Sequence, residues 1–479
     1  MVEGVLDRPV RGLTHDSRAV VPDGVFVALK GAHHDGHAFV PHLATAAAVV
    51  VQDDTPAPPG VTRVRVADTR VALPFLAASY HDHPGRRVPV VGITGTNGKT
   101  TVSFLAAAAL RGSGWRTGVI GTTGHLVDGQ PLDGSLVGLP RRVHPHTTPE
   151  APHLQALLAC MAEAGCRAVA MEVSSVGLQA RRVDAIPFRV AVFTNLSRDH
   201  LDVHETMEAY RTAKARLFHE LLPLDGIALL HEADPAWASM RPVGRTVWTY
   251  GLQAGDLHLE APVWSPEGTT AIVRTPAGTG RMRVPLPGRH NVENALAALG
   301  VALCLGAPLE TSLEGIAATG AVPGRLEPVP NRRGLTVLVD YAHTPDALAR
   351  VLGALREVSP GRLLVVFGCG GDRDPGKRAP MGRVAAALCD LVVITSDNPR
   401  SEDPNAILDA VAAGAAGGSA RIRVEPDRVA AIALALSEAR PGDVVVVAGK
   451  GHETTQEFAD RVVEHDDREV ARRLLGETS

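Results

Sequence analysis

The sequence predicts an α/β protein of three domains, and three observations support this prediction. The chain has 479 residues, enough for about three domains, and 45% of them are hydrophobic, enough for each domain to form a core. Short apolar runs alternate with Ala- and Leu-rich stretches of helical length, which is typical of mostly parallel sheets covered by helices. Turn-rich stretches at 81–85 and 323–334 divide the chain into domains 1–87, 88–327 and 328–479.

The composition excludes several classes of protein. Lys and Arg number 48 against 52 Asp and Glu, and the resulting net charge of −4 argues against a nucleic-acid binder. No apolar run approaches the roughly 18 residues of a membrane span, and the N-terminus lacks the apolar segment of a signal peptide. The five cysteines are scattered without metal-binding spacing, so we expect reduced core residues. The sequence therefore predicts a cytoplasmic protein with no nucleic-acid or membrane partner, and we expect a monomer.

The elements follow in order along the chain. The first domain is predicted to have short strands within 25–29, 46–51 and 62–67. The second alternates strands and helices, at 88–93, 99–111, 152–164, 168–173, 190–195, 205–222 and 226–230. Short alternating segments from 247 to 287 predict an antiparallel meander, and a helix is expected at 288–305. The third domain has predicted strands at 336–340, 362–368, 391–395 and 443–448, which indicate a second doubly wound unit.

A glycine-rich turn follows the first strand of the second domain. It comprises Gly95, Thr96, Asn97, Gly98, Lys99, Thr100 and Thr101 and leads directly into a predicted helix. Glycines let backbone N–H groups converge on phosphate oxygens, and a helix N-terminus favours negative charge. Lys99 would reach the terminal phosphates and Thr100 a magnesium ion. The spacing departs from G-x-x-x-x-G-K-[ST] because residue 93 is Ile, but the strand–turn–helix context favours ATP binding over an ordinary turn.

The turn Gly-Thr-Asn-Gly-Lys-Thr resembles the phosphate loop of the Mur ligases, ATP-dependent enzymes that build the peptidoglycan stem peptide. The resemblance spans essentially the whole chain in the same order and is strongest to the branch of the family that forms the tripeptide. It implies a small α/β uridine-binding domain, a central P-loop parallel-sheet ATPase domain and a C-terminal Rossmann-like domain. It also implies that ATP, magnesium and a UDP-N-acetylmuramoyl-dipeptide bind to this chain.

The same resemblance implies roles for individual residues. The dipeptide substrate is expected to contact Ser17, Thr147, Thr148, Ser174 and Arg182, although a simple turn also explains Ser17. The expected metal ligands are Thr100, Glu172, His200 and a carbamylated Lys214. The remaining ATP contacts are expected from Asn291, Asn294, Arg325 and Asp340, although helix capping also explains the two Asn residues. The family usually has His and Gln where this chain has Val176 and Ala180, so one substrate contact is shifted or lost.

Lysine is rare in this chain, which makes its positions informative. Only five of the 48 basic residues are lysine, and arginine cannot replace a reactive amine. Lys99 and Lys214 both lie in matched motifs, and together with His200 and Arg325 they form the expected catalytic set. A scaffold without enzymatic activity would not need these residues together with Glu172.

The third domain carries the expected site for the incoming amino acid. Its residues are Arg373, Asp397, Asn398, Pro399, Arg400, Gly449 and Glu453. In the family, Asp-Asn-Pro-Arg accompanies meso-diaminopimelate, whose distal end has a carboxylate and an ammonium group. Arg400 can pair with that carboxylate, and Asn398 and Glu453 can satisfy the ammonium. With L-lysine, a buried Arg400 would be unpaired and costly, unless Arg400 is only a surface-loop residue.

The sequence therefore predicts ATP-dependent addition of meso-diaminopimelate to the UDP-linked dipeptide through an acyl phosphate. Two other ligases stay open. One is a paralogue that adds L-lysine or another amine, which Val176 and Ala180 keep possible. The other is folylpolyglutamate synthetase, against which the turn around Ser17 and the loop at 397–400 both argue.

Overall fold

The computed structural model describes residues 1–5, 7–31, 34–132, 146–265, 268–359 and 361–476. Three larger sheets of five, eight and six strands follow one another along the chain, each with helices packed against it. The α/β class predicted from the sequence is confirmed. No helix in the described part of the chain is long and apolar enough to cross a membrane.

The first sheet is small and mostly parallel. Its strands are β1 (Val2–Glu3), β2 (Gly12–Thr14), β3 (Gly24–Val27), β4 (Ala48–Val51) and β5 (Thr62–Arg65). They lie in the order β1-β5-β4-β3-β2, and only β1 runs antiparallel to its neighbour. Helices α1 (Thr69–Tyr80) and α2 (Pro84–Arg87) then lead to the second sheet. Asp68 caps α1 by accepting from two N–H groups of its first turn.

The second sheet positions the glycine-rich turn. Its strands are β6 (Val90–Thr94), β7 (Thr117–Gly121), β8 (Gly124–Val127), β9 (Gln130–Pro131), β10 (Ala168–Glu172), β11 (Phe188–Phe193), β12 (Ile227–His231) and β13 (Thr246–Tyr250). The order is β13-β12-β11-β6-β10-β7-β8-β9, with β8 and β9 antiparallel. Strand β6 is central and buried throughout, as its continuous apolar run predicts. Loops after β6, β10 and β11 therefore meet at one edge of the sheet.

The helices of this region follow the predicted alternation. They are α3 (Lys99–Gly112), α4 (Ala151–Glu163), α5 (Ser175–Gln179), α6 (Leu201–His204), α7 (Met207–Arg216) and α8 (Trp237–Met240). The helix expected at 205–222 is confirmed apart from its first two residues and its last. The chain turns at Glu205, whose φ is 62°, and a π-helical turn at Leu217–Leu221 continues α7.

The predicted meander at 247–287 is partly wrong. Its first segment is β13, which pairs in parallel with β12 and extends the second sheet. Only β14 (His258–Ser265), β15 (Gly268–Thr275) and β16 (Gly278–Val284) form an antiparallel sheet. Helices α9 (Arg289–Cys304) and α10 (Leu309–Ala317) then pack with α3 in the main hydrophobic core.

The third sheet is built as the sequence predicts. Its strands are β17 (Glu327–Pro328), β18 (Thr336–Asp340), β19 (Leu363–Phe367), β20 (Leu391–Ile394), β21 (Arg421–Val424) and β22 (Val444–Ala448), and a separate hairpin comprises β23 (Thr455–Glu457) and β24 (Val462–Glu464). The order is β17-β18-β22-β19-β20-β21, with only β17 antiparallel. Its helices are α11 (Pro345–Val358), α12 (Arg378–Leu388), α13 (Pro404–Ala415), α14 (Arg428–Glu438) and α15 (Asp467–Leu474). All five cysteines of the chain are free, as expected.

Candidate active site

The glycine-rich turn after β6 is fixed against the segment that follows β11. Gly95 and Gly98 have positive φ angles, and a side chain on Gly98 would overlap the amide of Asn294. Asn97 donates its N–H to Asn195 Oδ1 at 3.0 Å, and Asn195 Nδ2 donates to the Asn97 carbonyl at 3.0 Å. Glycine is therefore required where this backbone bends and approaches its neighbours.

The side chain of Lys99 folds back onto the glycine-rich turn. Its Nζ donates to the carbonyl of Gly95 at 2.9 Å and to that of Thr96 at 2.8 Å. Burial lowers the pKa of Lys99. The amine thus lies at the N-terminus of α3, where a bound phosphate would be closest to the helix dipole.

One cavity brings together most of the residues that the sequence assigns to ATP and its metal. It runs from the glycine-rich turn past β10 to α9 and is bounded on the other side by residues 325–351. The predicted residues that line it are Thr96, Asn97, Gly98, Lys99, Thr100, Thr101, Thr147, Glu172, His200, Asn291, Asn294, Arg325 and Asp340. The cavity therefore spans the second and third sheets.

Glu172 is the centre of a buried oxygen cluster at the end of β10. Its carboxylate accepts from Thr100 Oγ1 at 3.0 Å and from the N–H and hydroxyl of Thr122 at 3.0 and 3.1 Å. The Thr122 hydroxyl also bonds Thr147 Oγ1 at 3.0 Å. The described residues form no group of three or more His, Cys, Asp and Glu that could hold a metal. This donor set suits magnesium, which binds through one or two protein oxygens together with phosphates and water.

Lys214 lies behind the glycine-rich turn on α7. Its buried Nζ donates to the Gly95 carbonyl at 2.9 Å and lies 4.3 Å from the centre of the Tyr210 ring. Burial, and then the nearby Lys99, hold the pKa of Lys214 well below its usual value. The neutral amine is the form that reacts with carbon dioxide, and a lowered pKa increases the share of that form. The environment is therefore suited to the predicted carbamate.

The far side of the cavity carries Arg325 and Asp340. Arg325 Nη2 donates to Thr100 Oγ1 at 3.0 Å, and its guanidinium lies 4.6 Å from the centre of the Tyr341 ring. Asp340 accepts from two backbone N–H groups, those of Leu326 at 2.7 Å and Ala342 at 2.8 Å. Burial raises the pKa of Asp340. Arg325 thus connects the end of β18 to the first turn of α3.

Two asparagines lie at the start of α9. Asn291 Nδ2 donates to the Pro287 carbonyl at 2.8 Å, and Asn294 Nδ2 donates to Asn291 Oδ1 at 3.4 Å. His200 lies opposite in the cavity, at a positive φ of 54°, and its Nε2 is 3.5 Å from Asp199 Oδ2. Burial lowers the pKa of His200, which favours the neutral ring that a metal ligand requires.

The residues predicted to bind the dipeptide do not all reach the cleft. Thr148 is fully buried, and its Oγ1 donates to the Glu172 carbonyl and accepts from the Ser174 N–H at 2.9 Å. Arg182 donates to the Thr148 carbonyl at 2.9 Å and pairs with Glu150 at 2.6 Å. The Thr148 side chain therefore fixes the turn after β10, while Thr147 and Ser174 are partly exposed.

The N-terminal turn lies beside this region. Ser17 begins a short 3-10 helix capped by Asp16, and the neighbouring His15 ring is 6.5 Å from the His153 ring on α4. Val176 and Ala180 are both half-buried at α5. The adjacent Gln179 lines a separate groove between α5, α6 and α7, together with Arg181 and Arg216. Gln179 is therefore not placed to restore the substrate contact that Ala180 lacks.

The predicted amino-acid loops follow three neighbouring strands, β22, β19 and β20. Lys450 is fully buried, and its Nζ donates to Glu453 Oε2 at 2.9 Å and Asn398 Oδ1 at 3.0 Å. Asn398 Nδ2 donates to Glu453 Oε2 at 2.9 Å. Glu453 is thus partly neutralised by Lys450, a contact that the sequence did not reveal. The other predicted residues of these loops are Arg373, Asp397, Pro399 and Gly449, of which Arg373 is exposed.

The expectation that Arg400 would be unpaired without a distal carboxylate is wrong. Its Nε donates to Glu457 Oε2 at 2.9 Å and its Nη1 to the Gly371 carbonyl at 2.8 Å. Its side chain is 26% exposed, so water also reaches the guanidinium. Glu457 lies on β23, which the hairpin brings beside the loop after β20. L-lysine would therefore not leave Arg400 without a partner.

A second contact that was missed from the sequence is a buried ion pair. Arg428 and Asp467 are wholly buried and pair at 2.7 Å, and Arg428 also donates to the carbonyls of Ser396 and Ala448. Those carbonyls immediately precede Asp397 and Gly449, so Arg428 fixes the starts of two amino-acid loops. A lone Arg in an Ala-rich helix gives no sequence signal of such a role.

A third missed contact joins the second and third sheets. Asp346, at the start of α11, accepts at one oxygen, Oδ2, from Asn97 Nδ2 at 2.9 Å and Ser197 Oγ at 3.0 Å. The same oxygen accepts from Arg350 Nε at 3.0 Å. The glycine-rich turn is thereby linked directly to the C-terminal unit. Partners 249 residues apart could be identified only from the structure.

The fold and the site together define a class of protein. A strand–turn–helix suited to phosphate lies at the edge of the second sheet, and a doubly wound third sheet faces it with cationic and carboxylate side chains. This arrangement is that of an enzyme that uses a nucleoside triphosphate.

Comparison with known proteins identifies the family. Models of the Mur ligase middle domain, the Mur ligase glutamate ligase domain and the Mur ligase family catalytic domain match residues 93–302, 324–451 and 9–81. The chain is 43% identical to UDP-N-acetylmuramoyl-L-alanyl-D-glutamate--2,6-diaminopimelate ligase of Geobacter sulfurreducens, over 98% of this chain and 95% of that protein. It is 42% identical to UDP-N-acetylmuramyl-tripeptide synthetase of Roseiflexus sp., over 98% and 95%. The chain belongs to the Mur ligase family and is an ATP-dependent ligase.

Solved structures agree with this assignment. A UDP-N-acetylmuramoyl-L-alanyl-D-glutamate--2,6-diaminopimelate ligase is 32% identical, with a TM-score of 0.67 over 98% of this chain and 95% of the other. A folylpolyglutamate synthase of Mycobacterium tuberculosis, complexed with ADP and AMPPCP, has a TM-score of 0.66 but only 22% identity, and it covers 86% of this chain. The second likeness shows a shared fold alone.

Proposed function

We propose that this chain joins meso-diaminopimelate to UDP-N-acetylmuramoyl-L-alanyl-D-glutamate at the expense of ATP, in peptidoglycan synthesis. The near full-length relative of Geobacter sulfurreducens bears the name of that ligase, which supports the proposal. The structural observation that carries it is Arg325. Its guanidinium donates to Thr100 at the phosphate turn and contacts Tyr341 at the end of β18, so a phosphate and an incoming amine can meet in one cleft.

The reaction we propose has two steps and needs no protein nucleophile. The glutamyl carboxylate of the dipeptide attacks the γ-phosphorus of ATP and ADP leaves, which gives an acyl phosphate. The amine of diaminopimelate then attacks the acyl carbon, phosphate leaves, and the nitrogen loses a proton. The protein's contribution is to hold the reactants in line and to supply positive charge where the phosphoryl oxygens become more negative.

Lys99 and Arg325 supply that charge from the two sides of the cleft. Lys99 Nζ lies at the N-terminus of α3, and Arg325 Nη2 is 3.0 Å from Thr100 Oγ1. Among the described residues, neither cation is paired with a carboxylate: Lys99 donates to backbone carbonyls, and Arg325 donates to Thr100 and the Gly324 carbonyl. Both can therefore turn to phosphate without breaking an ion pair.

Magnesium fits the oxygen cluster at the end of β10. Thr100 and Glu172 would hold one ion, and His200 with a carbamylated Lys214 would hold a second. When bound, magnesium neutralises phosphate charge and favours in-line transfer. The Thr100 hydroxyl is already within 3.0 Å of Glu172 Oε1, so a hydroxyl and a carboxylate converge there.

The identity of the amino acid depends on the loops at 397–400 and 449–453. Lys450, Asn398 and Glu453 offer both charges and an amide, which can bind an amino-acid end that carries a carboxylate and an ammonium. A second candidate function is addition of another amino acid, such as L-lysine. The pairing of Arg400 with Glu457 favours that alternative, because it removes the penalty expected against a substrate without a distal carboxylate.

The experiment is phosphate release by the purified full chain with ATP, magnesium and the UDP-linked dipeptide. Separate reactions contain meso-diaminopimelate, L-lysine or no added amino acid. A further reaction contains tetrahydrofolate and glutamate in place of the UDP-linked dipeptide and the amino acid. We expect turnover only with meso-diaminopimelate, and a product heavier than the dipeptide by that residue. The Lys99→Met variant is the matched control for contaminating ATPase. Faster turnover with L-lysine, or with the folate pair, would refute the substrate assignment.

We further infer a cytoplasmic location and a monomeric state. ATP is supplied in the cytoplasm, which supports the first inference. Light scattering of the purified protein at working concentration tests the second inference. A mass twice that of the 50.2 kDa chain would contradict it.

A further inference from the structure

The first turn of the C-terminal helix α15 contacts two functional regions through adjacent residues. Asp467 pairs with Arg428 behind the predicted amino-acid loops, and we call this contact the loop arm. Arg468 pairs with Glu327 beside the turn that carries Arg325, and we call this contact the turn arm. The inference drawn from the two arms rests on the proposed function, in which ATP and an amino acid react between these regions.

The loop arm joins the ends of two strands. Arg428 donates from Nε and Nη2 to the two carboxylate oxygens of Asp467, at 2.8 and 2.7 Å. It also donates from Nη2 to the Ala448 carbonyl at 2.9 Å and from Nη1 to the Ser396 carbonyl at 3.3 Å. Ala448 ends β22 and Ser396 follows β20, and β19 lies between these two strands in the sheet. Arg428 therefore holds together the starts of two loops whose strands do not pair with each other.

Stability alone does not account for the loop arm. The side chains of Arg428 and Asp467 have no exposed surface, and well-packed hydrophobic residues often stabilise such a buried place equally well. Hydrophobic residues could not, however, donate to the loop carbonyls. Gln456 Nε2 donates to the same Ser396 carbonyl at 3.3 Å, and His465 Nε2 lies 2.8 Å from Asp467 Oδ1. The polar network is thus suited to fixing the position of the loops.

The turn arm reaches the residues just before β17. Glu327, the first residue of β17, accepts from Arg468 Nη1 at 3.4 Å and lies 3.8 Å from Arg472 Nη2, one turn further along α15. The oxygen that Arg468 contacts, Oε2, also accepts the N–H of Gly324 at 2.8 Å. Gly324 has a positive φ of 65°, and a side chain there would overlap the backbone of His452. Glu327 therefore fixes a sharply bent turn.

That turn carries Arg325, which directly follows Gly324. Arg325 Nη1 donates to the Gly324 carbonyl at 3.1 Å, and its Nη2 donates to Thr100 Oγ1 at 3.0 Å. A guanidinium stabilises a transferring phosphoryl group best when it is held where negative charge develops. Because Glu327 holds the peptide N–H of Gly324, it limits where the Arg325 side chain begins.

We propose that the first turn of α15 positions both halves of the reaction, placing Arg325 at the phosphate through Glu327 and setting the spacing of the amino-acid loops through Arg428. The positioning residues are Glu327, Arg428, Asp467 and Arg468. They act through Arg325 and through the loop backbone, so the two arms affect different steps. The turn arm affects formation of the acyl phosphate, and the loop arm affects binding and attack of the amino acid.

The test separates these two steps on the full chain. With ATP, magnesium and the UDP-linked dipeptide, hydroxylamine replaces the amino acid and traps the acyl phosphate as a hydroxamate. Hydroxylamine is too small to need the amino-acid loops, so this rate reports the first step. With meso-diaminopimelate, phosphate release gives kcat and the KM for the amino acid. Absence of both reactions in the wild type would refute the proposed function, and the positioning roles with it.

Two variants examine the turn arm. Glu327→Ala removes the acceptor of the Gly324 N–H, and we expect hydroxamate formation to slow about tenfold while the KM for diaminopimelate stays unchanged. Glu327→Gln keeps an oxygen that can accept from Gly324, although it loses the ion pair with Arg468. It should therefore recover most of the rate that Glu327→Ala loses.

Two further variants examine the loop arm. Arg428→Lys keeps a positive charge beside Asp467, but its single nitrogen cannot also span both carbonyls. It should raise the KM for diaminopimelate about tenfold and leave hydroxamate formation unchanged. The double variant Arg428→Met/Asp467→Leu removes the same carbonyl contacts without leaving a buried charge. It should show the same rise in KM although its fold is retained.

Arg362→Ala is the matched control. Arg362 pairs with Asp443 at 2.6 Å, and these residues directly precede β19 and β22, at the opposite ends of the strands from the amino-acid loops. Its loss should lower the Tm and leave both reactions unchanged.

Three outcomes would overturn the positioning roles. Equal effects of the Glu327 and Arg428 variants on the two reactions would indicate that α15 only stabilises the fold. An unchanged KM in the folded double variant would show that the loops do not depend on Arg428. Unchanged hydroxamate formation in Glu327→Ala would show that Arg325 does not depend on Glu327.

Discussion

Replacing Arg400 by alanine is the sharpest test of how the amino acid is chosen. The Arg400 side chain is about three-quarters buried, and its guanidinium already donates to Glu457 Oε2 and to the Gly371 carbonyl. A distal carboxylate of diaminopimelate would therefore share Arg400 with Glu457. Because both carboxylates would bind the same guanidinium, each would be stabilised less than if it bound Arg400 alone.

The magnitude follows from this sharing. A hydrogen bond to a charged group contributes about 1.5–3 kcal/mol. The bond between Arg400 and the distal carboxylate should lie at the lower end of that range, because water reaches the arginine and Glu457 competes for it. A loss of about 1.4 kcal/mol is a tenfold change in affinity. We therefore expect Arg400→Ala to raise the KM for diaminopimelate about tenfold and to leave the KM for ATP unchanged. Arg400→Lys should recover little, because an ammonium cannot reproduce the planar fork.

The assay is phosphate release at varied diaminopimelate and then at varied ATP. Arg421→Ala is the matched control, since Arg421 also pairs with a carboxylate, Glu438 at 2.7 Å, but lies on the edge strand β21. Thermal unfolding of each variant checks the fold. An equal rise in the KM for ATP, or no change for diaminopimelate, would refute the reasoning.

Three further predictions concern buried or half-buried cations. Lys99→Ala should reduce turnover below a few per cent with an unchanged Tm, because its Nζ donates to the loop carbonyls of Gly95 and Thr96. Lys214→Ala should be nearly inactive and partly rescued by short carboxylates, and intact-mass spectrometry of the wild type should show one added carbon dioxide. Arg428→Met should lower the free energy of unfolding in urea by about 3 kcal/mol, because it removes the arginine from the buried Asp467 carboxylate and leaves it with His465, whose Nε2 is 2.8 Å away. Arg428 and hydrogen bonds hold the pKa of Asp467 well below its usual 3.8, so this ion pair's stabilisation is present above that value and lost as pH falls below it.

The control for Lys99→Ala and Lys214→Ala is Lys30→Ala. It removes an exposed lysine that is 3.7 Å from Asp53, and it should leave activity intact. The double variant Arg428→Met/Asp467→Leu should recover much of the lost stability, because no buried charge remains. Full activity from a preparation whose Lys214 is unmodified would contradict the carbamate, and a Tm drop in Lys99→Ala would indicate a structural role.

Local patterns predicted the fold well where one physical signal dominated. Buried parallel strands such as β6 are continuous apolar runs, and Gly98 before Lys99 marks a helix start after a phosphate-type turn. The sequence failed at β13, whose residues are half-buried because it lies at the sheet edge. An edge strand is partly exposed whether it pairs in parallel or antiparallel, so its sequence pattern does not distinguish the two kinds of pairing.

The sequence predicted many of the residues that line the cavity, but not the contacts between them. The residues that line the cavity follow strand ends, which a strand–helix alternation already indicates. The pairing of Arg400 with Glu457 spans 57 residues and depends on the β23–β24 hairpin.

One oxygen of Asp346 joins the phosphate side of the cleft to the unit that carries the predicted amino-acid loops. It receives hydrogen bonds from the phosphate turn, through Asn97, and from α11 of the C-terminal unit, through Arg350. A nucleotide that drew Asn97 away would remove one of these bonds and so couple nucleotide binding to the unit expected to bind the amino acid. Linkage then requires reciprocity: by whatever factor ATP alters the affinity for the amino acid, the amino acid alters the affinity for ATP by the same factor.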